Sequence, residues 1–177
     1  MQAHKTIIPP RTAMEVFELL PEGTLCQVIE NQLYMSPAPT FPHFLIVKSI
    51  YGKINDFVEK NKLGIVAFAP VDVYLDERNV VQPDIFFITN EQEDIITKKG
   101  IRGAPDIVIE VLSEGNASFD LGEKRNVYER NGVKEYFTID CKTKGVHAFY
   151  LESGKYKEVK LKNGEIKSKL LQQAFTF

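Results

Sequence analysis

The sequence has few of the residues that build disulfide frameworks and zinc clusters. Two cysteines, Cys26 and Cys141, and three histidines are the whole supply among 177 residues. Neither cysteine belongs to a CxxC motif, and the histidines do not follow a zinc-binding spacing. We therefore expect neither a disulfide scaffold nor a zinc site, and we expect the cysteines to be buried, reduced thiols.

Long apolar runs and an excess of one charge are also missing. No run is long enough to span a bilayer, and the opening residues MQAHKTIIPPR lack the apolar core of a signal peptide. The net charge is −2, so any binding of nucleic acid must rely on a local basic surface. These absences predict a soluble, cytoplasmic protein with no membrane partner.

Two motifs of common enzyme classes do not occur either. The chain has no G-x-S-x-G elbow and no glycine-rich phosphate loop, so a serine hydrolase, an NTPase and a dinucleotide enzyme are not expected. What is present is an ordinary globular balance, with 44% hydrophobic and 26% charged residues. The length suits one domain, which we predict to span residues 1–177.

Apolar spacing predicts a mixture of helices and strands. The helices are predicted at 12–20, 44–60, 91–97 and 120–130, and the second of these is the longest. The strands are predicted at 25–30, 32–36, 64–69, 71–75, 81–88, 106–113, 135–140, 145–151 and 156–161. Since strands and helices do not alternate regularly, the fold class is α+β or mixed α/β, with a central mixed sheet flanked by helices.

Two of the predicted strands contain a Pro-Asp pair. They read VVQPDIFFI (80–88) and PDIVIEVLS (105–113). If the two strands pair in antiparallel fashion, Asp84 and Glu110 meet at one end of the sheet and Asp106 lies at the other end. Carboxylates that meet either share a proton or bind a cation, and Mg²⁺ is a common solution. The alternative partner for Glu110 is a basic side chain.

The helix predicted at 120–130 can supply that basic side chain. It starts just past the Glu110 strand and can return over the same end of the sheet, which would bring Lys124 near Glu110. Asp120 lies four residues before Lys124, on the same helical face. Two other interpretations stay open: Asp120 is an N-cap in a D-x-x-E box with Glu123, and Lys124 is a solvated helix residue.

Four spaced motifs, in order, resemble one protein family. They are QPDIFFI (82–88), APDIVIEVLS (104–113), DLGEKRNVY (120–128) and NGVKEYFTID (131–140), preceded by QVIENQLYMSPAP (27–39). Together they resemble the bacterial family named "putative restriction endonuclease", also called the Uma family, of the PD-(D/E)XK nuclease superfamily. The resemblance covers roughly residues 12–151 and implies a restriction-endonuclease-like core.

The resemblance also implies an activity and the residues that perform it. The activity is hydrolysis of phosphodiester bonds in DNA with Mg²⁺, or with Mn²⁺ in its place, by a homodimer. Asp84, Glu110 and the carbonyl of Val111 match the metal ligands of the superfamily. Leu112 occupies the position of the usual catalytic lysine, and Lys124 in the following helix matches its replacement in this family.

Three further residues match the family in supporting positions. Asp120 would position Lys124, while Glu30 and His43 would contact the site's ligands or serve the structure. The missing strand lysine also motivates an alternative function. The chain would then be a catalytically weak or inactive binding module that keeps the nuclease fold.

Overall fold

The computed structural model of the protein describes residues 9–112 and 120–177. The helices are α1 (Ala13–Leu19), α2 (Phe41–Asn61) and α3 (Arg125–Arg130), with a 3-10 turn at Asn90–Ile95 and a π-helical turn at Asp120–Lys124 that leads into α3. The strands are β1 (Cys26–Ile29), β2 (Gln32–Met35), β3 (Gly64–Phe68), β4 (Val73–Asp76), β5 (Asn79–Val81), β6 (Ile85–Thr89), β7 (Ile96–Thr97), β8 (Gly100–Arg102), β9 (Ile107–Leu112), β10 (Glu135–Asp140), β11 (Val146–Glu152), β12 (Lys155–Leu161), β13 (Glu165–Ser168) and β14 (Gln173–Thr176).

The strands form two six-stranded sheets and a hairpin. The main sheet has the order β12-β11-β10-β9-β6-β3, and the second sheet has the order β2-β1-β5-β4-β8-β7. The main sheet is mixed because β9 and β10 run parallel while its other neighbours run antiparallel. The α+β prediction is confirmed. The second sheet was not foreseen, because β5, β7 and β8 are too short to give a clear alternation of apolar and polar residues.

Both faces of the main sheet are covered. Ile109 and Phe137 lie on the face that packs against α2, whereas Val108 and Tyr136 lie on the face that packs against the second sheet and α3. All six residues of β9 are buried. Since neighbouring strand residues point to opposite faces, Glu110 shares the face of Val108 and points toward α3.

The longest helix begins with a polar residue on its buried stripe. Pro42 stands in the first turn of α2, where the missing N–H costs nothing, and Lys62 ends the helix in a left-handed conformation. The buried side chains of α2 recur at helical spacing: they are His43, Ile46, Ile50, Ile54 and Val58. None of the helices in the described ranges has the length and apolarity that a membrane span requires.

The predicted strand 81–88 is two strands in two different sheets. β5 ends at Val81 in the second sheet, and β6 begins at Ile85 in the main sheet. Pro83 lies between them and has no N–H to continue a ladder of hydrogen bonds. The Gln82 side chain stabilises the segment between the two strands by donating a hydrogen bond to the Asp72 carboxylate at 2.8 Å. Asp84 is therefore the residue directly before the first residue of β6.

Glu135, at the start of β10, is a buried carboxylate that ties the chain after β13 to the main sheet. Its Oε1 accepts hydrogen bonds from the backbone N–H groups of Lys169 at 2.7 Å and Leu170 at 2.8 Å. Its Oε2 has no hydrogen-bond partner within the described ranges. Burial raises the pKa of Glu135, and this effect outweighs the nearby Ser168 hydroxyl and the two amides, which lower it.

We expect the raised pKa of Glu135 to make stability depend on pH. A carboxyl whose folded pKa exceeds its unfolded value contributes stability below the unfolded pKa, and that contribution is lost as pH rises through the folded pKa. Glu135→Gln keeps an oxygen acceptor and removes the charge. Wild type should therefore lose free energy of unfolding relative to Glu135→Gln as pH rises above the reference value of 4.5. Urea titrations of both proteins across that range measure the difference, and parallel curves would contradict the prediction.

Candidate functional site

The candidate site lies at one end of the main sheet. β6 and β9 pair in antiparallel fashion, as predicted, with Ile85 opposite Ile109. The next position outward places Asp84 opposite Glu110. The other aspartate, Asp106, lies at the far end, where its Oδ2 accepts the N–H of Thr89 at 2.8 Å. The two Pro-Asp pairs therefore have different surroundings, as the antiparallel pairing predicts.

Asp84 connects three elements of the fold. It precedes β6, and its Oδ2 accepts the backbone N–H of Val111 in β9 at 2.7 Å. The same oxygen lies 3.1 Å from Nε2 of His43 in the first turn of α2. The Asp84 side chain is 19% exposed, so solvent reaches this end of the sheet.

His43 is a buried histidine with one ring nitrogen engaged. Burial lowers the pKa of His43, but the hydrogen bond and charge of Asp84, the backbone of Val111 and the charge of Glu110 outweigh it, and the pKa is raised. The second ring nitrogen, Nδ1, is buried and has no hydrogen-bond partner in the described part of the chain.

The Glu110 side chain is bound on the other face of the main sheet, the face that packs against α3. Its Oε1 accepts hydrogen bonds from Nζ of Lys124 at 2.9 Å and from the hydroxyl of Tyr128 at 2.8 Å. Glu110 and Lys124 are each only 4% exposed. The Lys124 ammonium therefore does reach back over the sheet to Glu110. A buried charged pair of this kind needs close geometry, because desolvation of both ions opposes it.

Tyr128 is a further site residue, which the sequence analysis did not single out. It lies four residues after Lys124, and its ring packs against Tyr136 with 4.9 Å between the ring centroids. The signal that could have identified it is the spacing of Lys124 and Tyr128, which puts both on one helical face. The π-helical turn ahead of α3 is a further mark of functional sites.

Of the other two predicted supporting residues, Glu30 lies away from Glu110 and Asp84. Glu30 pairs with Arg130 at 2.6 Å and with Arg78 at 3.1 Å. Arg130 is the last residue of α3, and Lys124 directly precedes its first residue. Glu30 therefore contacts the C-terminal end of α3, whereas Glu110 contacts the residue just before its N-terminal end. Asp120 begins the π-helical turn, but its side chain falls outside the described residues, so its predicted contact with Lys124 is not described.

The donors that could hold a metal ion divide into two groups. Asp84 and His43 lie together, whereas the Glu110 carboxylate is engaged by Lys124 and Tyr128. No three His, Cys, Asp or Glu side chains within residues 9–112 and 120–177 are placed to hold an ion. The first group offers one carboxylate and one imidazole, and both are common ligands of divalent cations. Metal binding by Asp84, Glu110 and Val111 stays a prediction.

Comparisons with known proteins agree with the fold. A family model described as "Uma2: Putative restriction endonuclease" matches residues 14–176. Among solved structures, the chain is similar to a "putative nuclease belonging to DUF820" from Anabaena variabilis ATCC 29413, with 17% sequence identity, 92% of each chain covered and a TM-score of 0.75. No curated protein matches the chain. The structural likeness establishes a shared, restriction-endonuclease-like α+β fold.

Proposed function

This chain belongs to the Uma2 family of restriction-endonuclease-like proteins, and from that membership we propose that it is a metal-dependent endonuclease that hydrolyses phosphodiester bonds in DNA. One observation carries the proposal beyond the family. Two acidic residues lie at the same end of the main sheet, Asp84 just before β6 and Glu110 in β9, and the buried ammonium of Lys124 lies beside Glu110. An ordinary core strand has no need of these charges.

We propose that Asp84 and the Val111 carbonyl hold Mg²⁺ or Mn²⁺, with Glu110 as a further ligand. Such an ion, when bound, supplies the positive charge that activates water for attack and offsets the charge that develops on the phosphate. Asp84 is already oriented for this task, because the N–H of Val111 fixes its Oδ2. The partial exposure of Asp84 leaves a path for a substrate strand.

Lys124 has two roles in this proposal. Leu112 occupies the strand position of the superfamily lysine and carries no charge, so the ammonium must come from another element. Lys124 enters from the start of α3, compensates the charge of Glu110 and, with Tyr128, sets its orientation. Its Nζ donates to Glu110, and we propose that the charge of the same ammonium offsets negative charge on the phosphate.

Cleavage of supercoiled plasmid tests the activity. Wild type should nick the plasmid with Mg²⁺ or Mn²⁺ and should not nick it with a chelator. Asp84→Asn removes the carboxylate charge and should reduce nicking strongly under the same conditions. Equal cleavage by the two proteins, or cleavage by wild type that persists in the chelator, would overturn the proposal. The same cleavage assay on an RNA substrate decides whether the enzyme prefers DNA or RNA.

A catalytically inactive nuclease-fold module is the second candidate. It is favoured by one observation: the Glu110 carboxylate is engaged by Lys124 and Tyr128 rather than turned toward Asp84 and His43. This candidate predicts an intact fold with either no affinity for the metal ion or no cleavage. Titration calorimetry with Mg²⁺ and Mn²⁺ separates the two functions. Metal binding that is present in wild type and lost in Glu110→Gln would count against an inactive site.

We propose a homodimer in the cytoplasm as the working form. Two copies would allow both strands of a duplex to be cut. Exposed apolar side chains on α2 and β3 could support a contact between copies; they are Phe41, Phe44, Leu45, Ile65 and Phe68. Cys26 and Cys141 are free thiols, which suits a reducing compartment. Light scattering at several concentrations tests the dimer, and a monomer throughout would remove it.

A further inference from the structure

The positive charge of this chain is concentrated in its last strands. Residues 141–177 contain eight lysines and three acidic residues, which gives this segment a net charge of +5. The whole chain has a net charge of −2, so residues 1–140 carry a net charge of −7. A charge asymmetry of this kind indicates contact with an anionic partner such as nucleic acid. The structure decides where these lysines lie relative to the candidate site.

The strand register brings part of the basic segment to the same end of the main sheet as Glu110. Glu110 in β9 pairs with Thr138 in β10. Thr138 pairs with His147 in β11, which in turn pairs with Lys160 in β12. Paired residues of neighbouring strands point to the same face of a sheet, so Lys160 lies on the face of Glu110. Lys162 follows just beyond the last residue of β12.

The lysines at the two ends of β12 differ in their partners. Lys155 and Lys157 lie toward the end of the sheet that contains Asp106, and their Nζ atoms lie 2.9 Å and 3.9 Å from a carboxylate oxygen. Lys160 and Lys162 are exposed at the site end, and neither forms an ion pair in the part of the chain that the structure describes. The charges at the site end are therefore available to an external anion.

Two carboxylates near the site end of β12 have donors of their own. Glu158 lies 2.7 Å from Nδ1 of His147. Asp140, in the turn between β10 and β11, accepts hydrogen bonds from the backbone N–H groups of Lys142 at 3.0 Å and Thr143 at 2.7 Å. Neither carboxylate forms an ion pair with the two exposed lysines of β12 and its following turn, so both lysines keep their positive charge toward solvent.

We propose that Lys160 and Lys162 bind backbone phosphates of the DNA on which the candidate site acts. The inference rests on the proposed function, because it assigns the surface that holds the same substrate. Neighbouring strands lie about 4.8 Å apart, so β12 lies about 14 Å from β9. At 3.4 Å per nucleotide along one strand of a duplex, this distance corresponds to about four base pairs. A duplex with one phosphate beside Asp84 therefore places another over β12.

The type of cation indicates how this surface binds DNA. All the basic residues of residues 141–177 other than His147 are lysines, and the segment contains no arginine. Lysine binds phosphate as a point charge, whereas arginine supplies the planar, bidentate geometry that reads guanine. Phosphate contacts position a protein on a duplex and carry no sequence information. The surface should therefore bind DNA of any sequence, with an affinity that falls as the salt concentration rises.

A salt titration of DNA binding tests the surface. Fluorescence anisotropy of a labelled duplex with the full chain, in the presence of a chelator, gives the binding constant at each salt concentration. The slope of its logarithm against the logarithm of salt concentration should be smaller by about 2 in Lys160→Gln/Lys162→Gln, or about 1 for each lost phosphate contact. The matched control is Lys155→Gln/Lys157→Gln, which changes the net charge equally on the same strand and should keep the wild-type slope.

Plasmid nicking by the same proteins separates this inference from the proposed function. Duplex binding with the expected slopes but no nicking by wild type would support the surface and overturn the nuclease. Equal slopes in the two double variants, or no duplex binding by wild type, would overturn the surface even if wild type nicks the plasmid. Tighter binding of wild type to an RNA duplex of the same length, or to phosphatidylglycerol vesicles, would overturn DNA as the partner.

Discussion

Replacing Lys124 with methionine should lower the free energy of unfolding by about 3–5 kcal/mol. The Nζ of Lys124 lies 2.9 Å from Oε1 of Glu110, and both residues are almost fully buried. Methionine fills a similar volume but removes the cation, so the Glu110 carboxylate stays in an apolar site without the charge that Lys124 supplies. Urea unfolding of wild type and Lys124→Met, followed by circular dichroism, measures the loss.

Two further variants separate this effect from a general loss of packing. Lys155→Met removes a lysine that pairs with Glu129 at the same 2.9 Å but is 83% exposed, so its cost should stay below about 1 kcal/mol. The double variant Glu110→Gln/Lys124→Met removes both buried charges and keeps an acceptor for Tyr128, so it should recover most of the stability. Equal losses of unfolding free energy in Lys124→Met and Lys155→Met would show that the buried ion pair contributes no more to stability than the exposed one.

The two Pro-Asp aspartates should respond in opposite ways to the same substitution. Asp84→Asn should reduce metal-dependent cleavage by about 10²–10³-fold, because the lost charge is the one that faces the ion, while the change in stability should be small. Asp106→Asn should leave cleavage per folded molecule unchanged and should destabilise the fold by about 1–3 kcal/mol for each donor left without its acceptor.

The contacts of Asp106 explain its structural role. It is 1% exposed, and its carboxylate accepts hydrogen bonds from the N–H of Thr89 at 2.8 Å and the Gln92 side chain at 3.0 Å. Lys134 adds an ion pair with the same carboxylate. An asparagine would turn an N–H₂ group toward one of these donors. Thermal melts and plasmid nicking on both variants make the comparison, and a loss of activity in Asp106→Asn with intact stability would contradict it.

The sequence predicted the elements that place the site because their patterns are long or local. The helical spacing of apolar residues predicted α2, which runs from Phe41 to Asn61. Because sequential strands often pair in antiparallel fashion, we supposed the pair β6–β9, and the structure has that pair with Ile85 opposite Ile109. The start of a helix just past Leu112 predicted that Lys124 would return toward Glu110.

Other features could not be predicted, because they depend on contacts between distant segments. The second sheet is built in part from strands of two and three residues, whose pairing is decided by neighbours and not by their own pattern. The break at Pro83 sends β5 and β6 into different sheets. Tyr128 looked like a core residue, since nothing in the sequence shows that a hydroxyl in the core has a carboxylate to bond.

The sequence by itself determined that Asp84 and Glu110 stand at the same end of the sheet and that Asp106 does not. Alternation along each strand and antiparallel pairing are local rules, and they suffice for that placement. Only the tertiary structure decided which partner each carboxylate has. His43, 41 residues from Asp84, approaches on α2, and Lys124 approaches from the start of α3 on the opposite face. Layers packed on the two faces of a sheet select those partners, and no single stretch of sequence records that packing.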